Sequence, residues 1–287
     1  MDADGRRNFK SAKSVSRRCH PRLSAFICGC FRGAPVRILA IDAGNSRIKW
    51  GVHDDGSWLA QGWVATDRAA RLSRAWSGLE PPVAIVAANV AGARVARALA
   101  SAVRRFRSRI RFVKSVAAQC GVRNTYADPG QLGADRWAAL IGAWNLHHGP
   151  CVVVNAGTTM TVDALDGEGV FLGGMIVAGL DLMRGALARN TARLRPRPGC
   201  FAFFPSRTAD AIESGAVNAL AGAVERMLRF MQQAGQAAPL TVLSGGAAQL
   251  IAPQLNGAVE VVDNLVLEGI VRIAHDSLKG RNERVKE

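Results

Sequence analysis

Two stretches of this chain are copies of one design, and that duplication constrains the fold more than any other feature. VRILAIDAGNSRIKWGVHDDG begins at Val36, and CVVVNAGTTMTVDALDGEG begins at Cys151. Each opens with a continuous apolar run, Ile38 to Ile41 or Cys151 to Val154, which reads as a buried strand. Each then turns through a glycine, at Asp42-Ala43-Gly44-Asn45-Ser46 or Asn155-Ala156-Gly157-Thr158-Thr159. A second strand follows, ending in a hairpin signal at Asp54-Asp55-Gly56 or near Asp166-Gly167. The offset from Asp42 to Asn155 is 113 residues. A repeat of that length predicts two related halves, residues 37–148 and 149–287. Neither turn is a Walker-type loop, since no G-x-x-x-x-G-K-[ST] is present. No G-x-G-x-x-G opens a helix, which argues against a Rossmann dinucleotide site.

Further elements alternate between strand and helix. Val83 to Ala88, Ile110 to Lys114 and Leu240 to Ser244 read as strands. Ala93 to Phe106, Asp135 to Leu146, stretches within Ala209 to Gln233, and Asn264 to Leu278 read as helices. The alternation predicts an α/β architecture with mixed sheets flanked by helices. Hydrophobic residues make up 49% of the 287, enough to bury a sizeable core. The most apolar long segment, Pro81 to Val103, is interrupted by Asn89, Arg94 and Arg97, so no membrane span is expected. Six cysteines, scattered, do not make a disulfide scaffold.

Residues 1–36 differ from the rest. They are basic, hold Cys19, Cys28 and Cys30, and show no sustained apolar period before Pro21. The short LSAFICGCF segment lacks a clean cleavage site, so a disordered tail or a start codon set too far upstream is expected rather than a secretion signal. The net charge of +15 raises the question of nucleic acid. Seven Arg and no acid lie between Arg94 and Arg111, and six Arg and no acid between Arg184 and Arg207. Solvated faces and anion attraction both produce such runs, and charge alone does not choose between them.

The chemistry concentrates at the turns. In Asp42-Ala43-Gly44-Asn45-Ser46-Arg47-Ile48-Lys49 a carboxylate ends a buried strand, and glycine lets backbone N–H groups approach an anion. Asn45 and Ser46 add donors, and Lys49 adds a positive charge on the face shared with Asn45 and Arg47. A phosphate chain over this turn leaves Asp42 free for a water-bound Mg²⁺. The second turn repeats the arrangement with hydroxyls, and two turns facing each other would clamp a triphosphate. Gly133-Ala134-Asp135-Arg136 opens a helix. A first-turn carboxylate there suits a general base or a helix cap, and Arg136 can fork onto a carboxylate or phosphate. Tyr126, the only tyrosine, lies in the loop before it.

Together, Asp42–Lys49 as D-x-G-N-[ST]-x-x-K, Gly133–Arg136 as G-x-D-R, Asn155–Thr159, and the loop Gly173-Gly174-x-Ile176-x-x-Gly179 resemble the type III pantothenate kinases, also called Bvg accessory factors. The resemblance spans about residues 37–278. It implies an actin-like ATPase built from two ribonuclease H-like halves. It also implies phosphate contacts from Asp42 to Lys49, a nucleotide-side Thr158, and an adenosine-side turn at Gly245-Gly246. Tyr126, Gly133, Ala134, Asp135, Arg136 and Thr208 would contact pantothenate, with Asp135 as proton acceptor. ATP and Mg²⁺ follow as cofactors. A monovalent cation, K⁺ or NH4⁺, would sit at the position of Asn155, where relatives commonly carry Asp. Asn removes a charge from that site. Asn190 stands where many relatives have His, and Thr125 where Gly is usual.

The resemblance further implies a cytoplasmic homodimer that converts pantothenate to 4'-phosphopantothenate, the first step of coenzyme A synthesis. No membrane and no nucleic acid would be required. A sugar kinase of the same superfamily is the first competitor, although such enzymes usually carry D-x-G-G-T at the turn. A non-catalytic regulatory protein working through the Arg-rich surface is the second.

Overall fold

The computed structural model describes residues 36–191, 194 and 197–284. Cys19, Cys28, Cys30 and the rest of the predicted tail up to residue 35 lie outside the described residues. In chain order the strands are β1 (Ile38–Ala43), β2 (Arg47–Asp54), β3 (Ser57–Ala65), β4 (Ala84–Asn89), β5 (Ile110–Phe112), β6 (Ala118–Gln119), β7 (Val122–Asn124), β8 (Cys151–Ala156), β9 (Thr159–Leu165), β10 (Val170–Ala178), β11 (Leu240–Ser244) and β12 (Val259–Val261). The helices are α1 (Leu72–Ala75), α2 (Ala93–Ala102), α3 (Ala134–His147), α4 (Leu180–Asn190), α5 (Thr208–Gln233), α6 (Ala248–Ile251) and α7 (Leu265–Arg284).

The duplication is visible in the sheets. The first runs β3-β2-β1-β4-β5, with β1, β2 and β3 antiparallel and β4 and β5 parallel to β1. The second contains the same order as β10-β9-β8-β11-β12, with the same mix of directions. Two short strands extend it beyond β10, in the order β7-β6. The segment at 173–179, which the sequence suggests is a loop, is mostly strand β10. The predicted helix Ala93–Phe106 ends as a tighter 3₁₀ turn over Val103–Phe106.

Strands β1 and β8 are buried on both faces, as their unbroken apolar runs require. On the outer face of the first sheet, Leu39, Ile41 and Ala43 join Ile48, Trp50 and the Val95 and Leu99 side of α2. On its inner face, Ile38 and Ala40 join α3, α7 and the inner residues of β8. The outer face of the second sheet packs on α5 and α6. The layers are thus helices, sheet, the α3–α7 pair, sheet, helices. Alternation along each strand decides the matter, because side chains two apart share a face.

The central pair is close-set. A Cβ on Gly142 of α3 would lie 2.7 Å from the Leu265 carbonyl oxygen and 3.1 Å from the Gly269 nitrogen of α7. Small residues at the crossing let the two backbones meet. Helix α7, within the predicted second half, rests on β1 and β4, and β6 and β7, within the predicted first half, join the second sheet. Each sequence half therefore sends an element to the other's sheet.

Candidate active site

Asp42 and Lys49 are directly opposite each other on β1 and β2. Asp42 follows Ile38 and Ala40 by the two-residue period, so it points to the inner face, and Lys49 does likewise. Ala43 and Ile48 alternate with them and are buried in the outer core, so only their backbone is available to a phosphate. The turn between is held by Gly44 N–H on the Arg47 carbonyl at 3.1 Å. Thr66 pins it from outside, its hydroxyl donating to the Gly44 carbonyl at 2.7 Å. Asn45 and Ser46 are exposed at the tip. Arg47, expected among the phosphate contacts, lays its guanidinium 4.7 Å from the Trp63 ring centre.

The second turn is built alike. Gly157 N–H donates to the Thr159 carbonyl at 3.1 Å. The Ala156 carbonyl accepts from Ala247 N–H at 3.1 Å, as the Ala43 carbonyl accepts from Val90 N–H at 3.0 Å. The Ala247 bond brings the Gly245-Gly246 turn beside the second glycine turn. Gly179 N–H donates to the Thr158 carbonyl at 3.0 Å and braces it from the junction of β10 and α4. The two turns meet: the Ser46 and Thr158 hydroxyls are hydrogen-bonded at 2.7 Å, across 112 residues of sequence.

Asp135 lies in the first turn of α3 and accepts from the Arg136 N–H at 2.8 Å. Its charge reaches Asp42. The Asp42 carboxyl is pushed up to about 7, chiefly by burial and then by Asp135, with Lys49 pulling the other way. The expected base and the expected Mg²⁺ carboxylate are thus brought together. Among the described residues no group of three or more metal-ligating side chains exists. One carboxylate with too little positive charge beside it suits a cation held mainly by phosphates and reached through water.

Arg136 and Tyr126 join this cluster, with a partner that the sequence motifs miss. Arg136 Nε lies 3.2 Å from each oxygen of Asp163 on β9, and Nη2 also bonds Asp163 Oδ1. Its Nη1 donates to the Tyr126 hydroxyl at 3.2 Å. The Tyr126 ring stands 5.4 Å from that of Phe171. Burial works to lower the Arg136 pKa, but hydrogen bonds and attraction from Asp163 raise it on balance, so the guanidinium stays charged. Burial raises the Asp163 carboxyl, and Arg136 works against this. The signal for Asp163 was an acid within the apolar strand MTVDAL, legible only once the strand's inner face is known.

Thr125 ties the Tyr126 loop to β10, its hydroxyl donating to the Phe171 carbonyl at 2.6 Å. Gly133 and Ala134 lead into α3. Asn155, the penultimate residue of β8, is half-buried. Asn190 at the end of α4 caps its own helix through the Ala186 carbonyl. Thr208 is exposed at the first residue of α5, and no hydrogen bond among the described residues joins it to the Asp42–Asp135 cluster.

Two ribonuclease H-like halves with facing glycine turns define the actin-like ATPase class of fold. The chain has this architecture in common with a Campylobacter jejuni protein described as a Baf family transcriptional activator, at TM-score 0.55 and 19% identity over 84% of this chain and 99% of that one. A Sinorhizobium meliloti protein described as a 2-dehydro-3-deoxygalactonokinase matches at TM-score 0.55 and 17% identity, over 83% and 98%. A model of the type III pantothenate kinase family matches residues 38–229. A type III pantothenate kinase of Nitrosospira multiformis is 48% identical over 84% of this chain and 92% of its own length. One of Aromatoleum aromaticum is 48% identical over 83% and 98%. The chain belongs to the type III pantothenate kinase family.

Proposed function

We propose that this chain transfers the γ-phosphoryl group of ATP to the primary hydroxyl of pantothenate, giving 4'-phosphopantothenate in the cytoplasm. The Ser46–Thr158 contact carries the reading beyond family membership. It closes two glycine turns into one cradle at the mouth of the Asp42–Asp135 cluster. Backbone donors on both sides of a polyphosphate suit phosphoryl transfer, where positioning and charge stabilisation do most of the work.

Asp135 accepts the proton of the attacking hydroxyl. Lys49 offsets charge on the phosphates, and Arg136 and Tyr126 orient the pantothenate end of the acceptor. Asp42 would hold Mg²⁺ through water, and the ion would add charge neutralisation there. Asn155 gives a monovalent cation an amide oxygen but no charge. Thr208 would reach a substrate in a homodimer that brings another surface to the cleft. Leu172 and Ile176 of β10, Leu182 and Leu187 of α4, and Phe203 and Phe204 are exposed and apolar, which supports such an interface. No described helix is long and apolar enough to cross a membrane.

The test is ADP release by the full chain with pantothenate, against a panel of hexoses and sugar acids, with and without K⁺. Turnover with pantothenate alone is expected. Turnover only with a sugar would replace the substrate. Absence of turnover, with salt-dependent DNA binding, would move the function to the Arg-rich surface.

A further inference from the structure

Asp163 is 1% exposed and Arg136 6% exposed, and both lie beside the cluster that carries the chemistry. A buried ion pair is a weak stabiliser, because well-packed apolar residues do as well or better. Its geometry is therefore the thing to explain. Asp163 sits two residues past Thr161 on β9, so it shares that residue's inner face. Both its oxygens face Nε of Arg136, and Oδ1 also meets Nη2. Nη1 meets the Tyr126 hydroxyl. A guanidinium carries more N–H donors than these contacts use. The pair fixes the plane of the group and leaves donors over.

The opposing strand is shaped around the pair. Gly174 on β10 is the register partner of Asp163. A Cβ there would collide with Asp163 Oδ1 and lie 2.7 Å from Arg136 Nη2. Gly174 has no positive φ to explain it. What the position requires is space, filled by the ion pair and, at 2.8 Å, by the Val162 carbonyl oxygen.

We propose that Asp163 is a positioning residue for the acceptor substrate: it locks Arg136 so that the remaining guanidinium donors meet the carboxylate of pantothenate, and Gly174 keeps the slot open. The proposal rests on the reading that the acceptor is pantothenate.

Steady-state kinetics of the full chain, varying pantothenate and ATP separately, test it on Asp163→Asn, Asp163→Glu and Gly174→Ala, with thermal unfolding alongside. In Asp163→Asn the KM for pantothenate rises roughly tenfold or more, as loss of a charge-assisted contact implies. The KM for ATP stays within about twofold on the same argument. Asp163→Glu, which restores the charge, recovers part of the loss. Gly174→Ala gives the same pantothenate-specific rise from the other strand. A folded Asp163→Asn with wild-type KM for pantothenate overturns the proposal, and so does an equal rise in both KM values. If Asp163→Asn does not fold, Asp163→Glu decides by the same criterion, since Gly174→Ala also presses on the Val162 carbonyl. If the wild type phosphorylates a different acceptor, the substrate reading has failed. The variants are then compared on that acceptor, and an unchanged KM for it overturns the positioning role as well.

Discussion

The penultimate residue of β1 and the residue opposite it on β2 are Asp42 and Lys49, whereas the corresponding pair in the second half is Asn155 and Thr161. The strand order, the glycine turn and the bracing backbone bond are the same in both halves. The turn itself is one residue shorter in the second, since Ala43 pairs with Ile48 but Ala156 with Met160. That deletion ends the constant 113-residue offset and makes Thr161, not Val162, the counterpart of Lys49. The cradle of N–H groups is present twice, and a facing Asp–Lys pair only once. The second half holds its charge deeper, at Asp163, where Arg136 neutralises it. On the proposed function, one turn is equipped to react and the other to hold.

The largest test of this division is Asp135→Asn, which removes the proposed base while leaving both cradles intact. It is expected to lower kcat by about 10²–10⁴-fold, the range typical of a lost general base. The thermal midpoint and the nucleotide affinity stay near wild type, because Asn preserves the shape of the first turn of α3. An Asp135→Asn enzyme as fast as wild type would move the base elsewhere.

The charged turn also leaves a mark on stability that the neutral one does not. Asp42 holds its proton up to about pH 7 in the folded chain, whereas its ordinary value is 3.8. Between those values the unfolded chain binds fewer protons, so this carboxyl makes folding less favourable as pH rises, and its effect levels off above 7. Asp42→Asn removes the penalty. In nucleotide- and metal-free protein the variant is expected to match wild type near pH 4 and to melt about 2–4 °C or more higher at pH 8, while losing turnover. Melting curves across that range check it, and parallel curves for the two proteins would place the strain elsewhere.

Much of this division is legible in the sequence. Both turns are visible because apolar runs ending in a polar glycine turn are strong local signals. Asp135 is visible because it stands in the first turn of a periodic helix. Asp163 is not, since its role depends on which face of β9 meets α3, and that is fixed by tertiary contact rather than by local pattern. The exchange of elements between the halves is hidden for the same reason. Helix α7 and strands β6 and β7 read locally as belonging to their sequence neighbours, yet Gly269 against Gly142 and the pairing with β10 carry them across. The Ser46–Thr158 bond is an intermediate case: each residue stands out within its own turn, but their meeting does not.

The smallest expected effect bears on the neutral turn directly. If Asn155 holds a monovalent cation by its amide oxygen alone, the site lacks the carboxylate charge that hard cations favour. Asn155→Asp restores that charge without changing side-chain length. It should make turnover severalfold more responsive to K⁺, on the order of the tenfold that about 1.4 kcal/mol represents, with little change in kcat at saturating ATP when K⁺ is absent. The same substitution puts a carboxylate at the penultimate position of both β1 and β8. Without K⁺ the new charge repels the polyphosphate, so the KM for ATP rises. With K⁺ the repulsion is offset and the KM returns. An Asn155→Asp enzyme equally insensitive to K⁺ would mean that the second turn works through its backbone and hydroxyls alone, and that the loss of charge there was complete.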